Sequence, residues 1–282
     1  MKKPFISGEW KILFKPEKYG NYVNDHSIVK DSDDKWHLFG ITSFGGGAYN
    51  EKYFVHGVGD SLDAPMAEVQ KTIDCGTPAW APCIIGKDGN YYMFYGPSPT
   101  SLAVSFELYE WFGYPVTLKN EPPMAAHRDH FVIKVCDEYL MYVSGIKEKK
   151  GAISLFSSKD LLSWEFCDFA LTSGDNAPLR CPWGAMESPF VVEKDGFFYL
   201  FVTYTDSSLD TYNNTLVFVS DDPKNFGQYD GENSGAAPIA RIKAHAPEII
   251  KDGDKYFITT CGWNNKGIPH EGCVSIAELK WK

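Results

Sequence analysis

Five dipeptides stand at matched places along this chain, each followed by His or Pro and an apolar run: Asn24-Asp25, Trp80-Ala81, Arg128-Asp129, Glu187-Ser188 and His245-Ala246. Three of the five supply a carboxylate, one of these also an arginine, and another supplies a histidine. A structural repeat requires no charge at such positions, where small or apolar residues serve better. If a fold gathers these residues, the carboxylates repel one another and their proton affinities separate. One carboxyl then keeps its proton near neutral pH while another stays ionised. That pairing is what general acid and base catalysis needs.

The elements that must position these residues are written in the same repeat. The phrase returns about every 56 residues, a period that marks one supersecondary module per copy. Each copy runs from its dipeptide through an apolar strand and a charged turn into an aromatic-rich strand, at 36–40, 91–95, 139–143, 198–202 and 256–260. The turns at 86–90, 193–196 and 251–254 carry the Asp and Gly of tight hairpins, with looser versions at 31–34 and 135–138. Further strands follow at 52–58 and 152–158, and Trp164, in the turn 160–164, is predicted to plug the gap between two modules. No 3.6-residue periodicity persists, so no helix is predicted. Four-stranded modules of this size are propeller blades, and five of them fill 282 residues. The predicted fold is all-β, a five-bladed β-propeller forming a single domain over residues 1–282. The first strand of each blade then lines a central channel, and the five dipeptides meet at its mouth. Irregular stretches at 44–47, 171–183 and 227–238 are expected to crown that face. The run Phe44-Gly45-Gly46-Gly47 lacks the following helix and lysine of a phosphate loop and reads as a rim.

Composition narrows the partners. A formal net charge of −10 argues against nucleic acid and against an anionic membrane surface. No apolar stretch approaches the 18 or so residues of a spanning helix. Met1-Lys2-Lys3-Pro4-Phe5 has the charge of a secretory signal without its apolar segment. The seven cysteines form no CxxC pair, and Cys83 and Cys136 are expected as small buried hydrophobes. A reduced, cytoplasmic protein is the expectation; the alternative is a secreted or periplasmic one whose signal has been removed. With 44% hydrophobic and 15% aromatic residues, the chain can fill a continuous core between stacked blades.

The motifs resemble those of the five-bladed propeller glycosidases, glycoside hydrolase families 43 and 32. Asn24-Asp25 is similar to the Asn-Asp-Pro motif of family 32, Arg128-Asp129 to its Arg-Asp-Pro and Glu187-Ser188-Pro189 to its Glu-Cys-Pro. The segment 153–164 is like the strand and turn that follow Arg-Asp-Pro there. Trp80-Ala81-Pro82, followed by Asp88-Gly89-Asn90, looks instead like family 43. The resemblance covers nearly the whole chain and implies a glycosidase in which Asp25 is base or nucleophile and Glu187 the general acid. Asp129 would hold sugar hydroxyls and tune the acid, and Arg128 would pair with a carboxylate or a substrate hydroxyl. It also implies a Ca²⁺ or Na⁺ ion in the channel near His245, with no cofactor required for the chemistry. Two departures stand out: His26 and His130 replace the motif prolines, and no residues remain for the C-terminal sandwich of family 32. A related propeller family acting on agar oligosaccharides uses His as its acid, which opens that role to His130 or His245.

Structural alternatives stand beside these assignments. Asp25 alone reads equally as a turn cap, and Arg128 as a buried counter-ion. His245 reads as a satisfied channel histidine, an ion ligand or a substrate contact. His26 and His130 sit where they could bond a carboxylate or a sugar, as could Asn24. Of Trp80, Trp183 and Trp263, the first two lie beside a motif and are assigned to stacking on a sugar ring. The expected function is release of a terminal sugar from a plant- or algae-derived oligosaccharide, with arabinofuranose or xylose favoured. The alternatives are a retaining fructofuranosidase-type enzyme and a non-catalytic sugar-binding propeller. A family 43 course is inverting and a family 32 course retaining, a difference set by the carboxyl separation.

Overall fold

The computed structural model describes residues 2–45, 50–69, 73–175, 177, 185–205, 212–231, 236–263 and 267–282. They form five mainly antiparallel sheets arranged as the blades of a β-propeller, and no α-helix occurs among the described residues. The first blade runs outward through β2 (Asn24–Lys30), β3 (Trp36–Thr42) and β4 (Tyr53–Gly59), with the short β5 (Ala67–Glu68) and β6 (Ile73–Asp74) both on the edge of β4. The second is β7 (Trp80–Lys87), β8 (Asn90–Gly96), β9 (Ser101–Ser105) and β10 (Phe112–Tyr114). The third, β12 (Ala125–Val135), β13 (Glu138–Lys147), β14 (Lys150–Ser158) and β15 (Ser163–Ser173), is widened by β11 (Thr117–Lys119) and β19 (Gln228–Tyr229), both parallel to β15. The fourth is β16 (Met186–Lys194), β17 (Phe197–Tyr204), β18 (Thr215–Ser220) and β20 (Ala240–Ile242).

The fifth repeat runs out of chain after three strands, β21 (Ile249–Asp252), β22 (Lys255–Thr260) and β23 (Val274–Trp281). Its fourth strand is β1 (Pro4–Phe14), which pairs antiparallel with β23 from Pro4 against Trp281 to Phe14 against Val274. The two ends of the chain thus lock one blade, covering an edge that would otherwise expose unpaired backbone.

Local chemistry explains the turns. Asp88 and Gly89 (φ 52° and 77°), like Asp195 and Gly196 (φ 53° and 80°), take the left-handed pair that suits a two-residue hairpin. Glu148 and Lys149 adopt the same geometry without glycine, at φ 48° and 64°. Cys136 lies in the β12–β13 turn at φ 51° and is exposed, so it is not the buried strand residue expected of it. Trp164 is fully buried, gives its indole N–H to Leu161 O at 3.1 Å and meets Phe94 of the second blade edge-on at 5.6 Å. It is the expected interblade plug. Ser158 builds its turn by accepting from Leu161 N–H at 3.0 Å. Ser105 does the same for Leu108 at 2.9 Å, which sets Trp111 against Phe39 of the first blade at 5.4 Å.

The channel wall is closed by side chains. Each inner strand has a free edge, and a buried backbone N–H without a partner costs about 1–3 kcal/mol. Ser27 Oγ takes Ile84 N–H at 3.1 Å, Cys83 Sγ takes Val132 N–H at 3.2 Å and Glu248 Oε2 takes Ile28 N–H at 2.7 Å. The corresponding residues of the third and fourth blades are Phe131 and Phe190, which pack on each other at 4.3 Å. Burial pushes the Glu248 carboxyl up to about 8, against the pull of its bonds to Ile28 and Ser27. The folded state therefore holds a proton that the unfolded chain releases near pH 4.5, and stability from this group falls as pH rises toward 8. We expect Glu248→Gln to melt with wild type near pH 5 and roughly 3–6 °C above it at pH 8. Calorimetry at the two pH values checks this, and an equal offset at both would contradict it.

Candidate active site

Four of the five inner strands enter the channel through a bulge. Pairing with the second strand slips between Asn24 and His26, Trp80 and Cys83, Arg128 and His130, and Glu187 and Phe190. The second residue of every dipeptide is left-handed: Asp25 at φ 42°, Ala81 at 47°, Asp129 at 55°, Ser188 at 47° and Ala246 at 43°. For residues with a Cβ this conformation costs roughly 1–2 kcal/mol each. Five copies of it, one per blade, turn the dipeptides onto a common ring. Asp25 and Asp129 close their pairs while Glu187 heads its own, so the third carboxylate enters one residue earlier than the other two.

Ser188 joins two of the three acids. Its hydroxyl donates to Asp25 Oδ1 at 2.7 Å and its backbone N–H to Asp129 Oδ2 at 3.1 Å. Arg128 spans the other pair, with Nε 3.4 Å from Asp129 Oδ2 and Nη2 3.6 Å from Glu187 Oε1. Its Nη1 donates to Ala126 O, which fixes the guanidinium. Glu187 Oε1 also accepts from Thr205 Oγ1 at 2.9 Å. Asp25, Asp129 and Glu187, from three different blades, thus belong to one connected network. Burial, and then the charge of Asp129, push Asp25 well above the usual carboxylate range, against the bond from Ser188. Burial raises Asp129 too, while Arg128 pulls it back. Asp25 and Asp129 border a cavity of about 30 Å³ that also touches His26, His130, Ser188 and Glu248, with room for a water or two.

The histidines are placed differently from one another. His26 turns into the fifth blade, with Nε2 2.7 Å from Thr259 Oγ1 and Nδ1 3.2 Å from Cys261 Sγ. His130 turns into the second, with Nε2 2.8 Å from Thr100 Oγ1, while its buried Nδ1 has no hydrogen-bond partner among the described residues. Both ride next to an acid in sequence yet tie blades together in space. His245 donates Nδ1–H to Cys261 O at 2.8 Å, which leaves the lone pair on Nε2. Burial holds His26 and His130 down to about 3 and His245 to about 4, so all three are neutral at pH 7.

Asn24 is buried, and its Oδ1 has no hydrogen-bond partner among the described residues. Trp80 is half-buried at the start of β7. Trp183 lies outside the described residues. Calcium takes six to eight oxygen ligands, and among the described residues no three His, Cys, Asp or Glu side chains could hold one ion together.

Two features of the site carried no signal in the repeat. One is the bridge made by Ser188, a residue that family-type spacing marks only as a neighbour of the acid. The other is Glu51, which is 2% exposed and accepts Tyr22 O–H at 2.7 Å and Trp263 Nε1–H at 2.8 Å, both on Oε1. Its charge adds to the upward push on Asp25, and burial raises its own carboxyl.

No family model and no curated protein matches this chain. Solved structures match its fold. A thermostable family 43 glycoside hydrolase is 17% identical over 94% of this chain and 96% of its own, with a TM-score of 0.67. A family 43 β-xylosidase/α-arabinofuranosidase from a compost microbial metagenome, solved with xylotriose in a calcium-free form, is also 17% identical, over 99% and 96%, with a TM-score of 0.63. A family 32 β-fructofuranosidase from Bombyx mori is 16% identical over 100% of this chain and 62% of its own, with a TM-score of 0.59. The shared feature is the five-bladed propeller itself, the fold that the motifs pointed to.

The Ser188 bridge gives a direct test. Ala81 and Ala246 already occupy the same left-handed position, so Ser188→Ala adds no backbone strain. It removes a donor that favours ionised Asp25. A hydrogen bond to a charged group is worth about 1.5–3 kcal/mol, so the Asp25 midpoint should rise by about one unit or more. Carbon-detected NMR titration of the carboxyls measures it, and an unmoved midpoint would disprove the bridge.

Proposed function

We propose that the channel mouth is the active site of a glycosidase that releases a terminal sugar from an oligosaccharide, the whole propeller serving as one catalytic domain. The observation that carries this reading is the single network joining Asp25, Asp129 and Glu187 through Ser188 and Arg128. Binding a neutral sugar does not need three crowded acids, whereas glycoside hydrolysis needs two carboxyls with separate duties. In this reading Glu187 protonates the departing glycosidic oxygen, held in place by Thr205 and Arg128. Asp25 acts from the other side of the sugar, on water or on the anomeric carbon. Asp129 keeps Arg128 aligned and holds sugar hydroxyls.

The histidines are poor candidates for the acid. His130 and His245, held near 3 and 4, carry no acidic imidazolium proton at neutral pH, and a general acid works best with a pKa near the working pH. The carboxylate excess at the mouth disfavours uronic and sulfated sugars. A pentoside, arabinofuranosyl or xylosyl, is the favoured substrate; the likeness to a β-xylosidase/α-arabinofuranosidase fold supports that choice, and a fructofuranoside comes second.

The test is hydrolysis of a panel of nitrophenyl pentosides and hexosides and of arabino- and xylo-oligosaccharides. Wild type should release single sugars, and Asp25→Asn and Glu187→Gln should each lose about 10²–10⁴-fold in kcat. Because Asp25 is raised, the acid limb of the kcat/KM profile should lie above the ordinary carboxylate value near 4. Full activity in either variant would remove that residue from its role. Sugar binding without hydrolysis by wild type would leave a binding propeller.

A further inference from the structure

Glu51 lies outside the repeat, at the entry to β4, and the fold does not account for it. A carboxylate this deeply buried is costly unless its oxygens are satisfied or a cation faces it. Tyr22 O–H and Trp263 Nε1–H both converge on Oε1, and Oε2 has no hydrogen-bond partner among the described residues. Nor does any described Lys, Arg or His pair with it, in contrast to Asp129 and Glu187, which share Arg128. Two neutral donors from different blades therefore hold one oxygen and fix the carboxylate plane, while the other oxygen is left without an internal task.

The surroundings link the group to residues of the mouth. The carbonyl of Glu51 accepts Ala79 N–H at 2.8 Å, immediately before Trp80 at the mouth. Trp263, which pins the carboxylate from the fifth blade, lies 6.2 Å from His245 and 5.4 Å from Tyr212, ring to ring. The Glu51 charge adds a smaller push to Asp25, after burial, Asp129 and Glu187. Tyr22, Glu51, Trp263 and His245 thus form one chain of contacts that ends at a dipeptide of the mouth.

Building on the glycosidase reading, we propose that Glu51 is a specificity-determining residue whose Oε2 accepts a hydrogen bond from a hydroxyl of the sugar bound at the channel mouth. It selects hydroxylated sugars without an acidic group and sets the orientation of the ring over Asp25. A site built to receive a hydroxyl rejects the analogue that lacks it, because the buried oxygen is then left unpaired.

The experiment pairs variants with substrate analogues and reads binding as well as turnover. Glu51→Gln preserves shape and the acceptor for Tyr22 and Trp263; Glu51→Asp keeps the charge and withdraws it by one methylene. Calorimetric titration with L-arabinose, D-xylose and D-fructose identifies the sugar held best. Monodeoxy derivatives of that sugar and of its nitrophenyl glycoside are then compared. Both variants should weaken binding and raise KM by roughly 10- to 100-fold, the loss typical of a hydrogen bond to an ionised acceptor, with kcat changed only a few-fold. One deoxy sugar should be held equally weakly by wild type and Glu51→Gln, while the other deoxy sugars retain the difference. Should the variants fail to fold, a tenfold loss confined to one deoxy sugar in wild type supports the proposal, and equal affinity for every deoxy sugar overturns it. Equal affinity of folded Glu51→Gln and wild type for every sugar also overturns it. Binding and the Glu51 effect without hydrolysis would sink the glycosidase reading alone; no binding of any sugar would sink both.

Discussion

A ring of five left-handed residues holds this molecule's site together. Asp25, Ala81, Asp129, Ser188 and Ala246 each carry a Cβ, and each sits where L-residues are strained. The strain is tolerated because the blades are fixed elsewhere, by Trp164 and Trp111 between blades and by β1 closing the fifth sheet. Its effect is geometric. The left-handed residue of each dipeptide re-aims the head of its inner strand at the channel, while His26 and His130, third in their repeats, also reach side chains of neighbouring blades.

Electrostatics follows from this geometry. Acids brought to a ring with little water raise one another, and the structure manages them with one guanidinium, one serine and one threonine. Arg128 serves Asp129 and Glu187, whereas Asp25 has only the neutral Ser188 hydroxyl and faces a fourth acid, Glu51, on its other side. Asp25 is therefore held well above the usual carboxylate range, whereas Arg128 offsets part of the rise that burial imposes on Asp129. A raised Asp25 must lose its proton before it can act as base or nucleophile, which sets the acid limb of activity. It also destabilises the fold at neutral pH, the usual trade between function and stability.

The repeat made the blades, their turns, the interblade tryptophan and the three acids readable, because each depends on residue type at a fixed offset. Closure by β1 was not readable: Pro4–Phe14 has no partner signal of its own and pairs with a strand at the far end of the chain. His26 and His130 adjoin acids in sequence, and their bonds to Thr259 and Thr100 of neighbouring blades, made while both line the cavity beside Asp25 and Asp129, were not readable from spacing. Ser188 and Glu51 escaped for another reason. A serine bridge and a carboxylate pinned by Tyr22 and Trp263 are relations across blades that no spacing along the chain encodes.

The central claim is that Glu187 and Asp25 perform different steps on a glycosidic bond. Leaving-group dependence tests it most directly, since a departing group that needs no proton makes a general acid dispensable. Hydrolysis of dinitrophenyl and methyl glycosides of the preferred sugar should be measured for wild type, Glu187→Gln and Asp25→Asn. The account predicts that Glu187→Gln keeps most activity on the dinitrophenyl glycoside and loses it on the methyl glycoside, while Asp25→Asn fails on both. Equal losses of Glu187→Gln on the two substrates would contradict it.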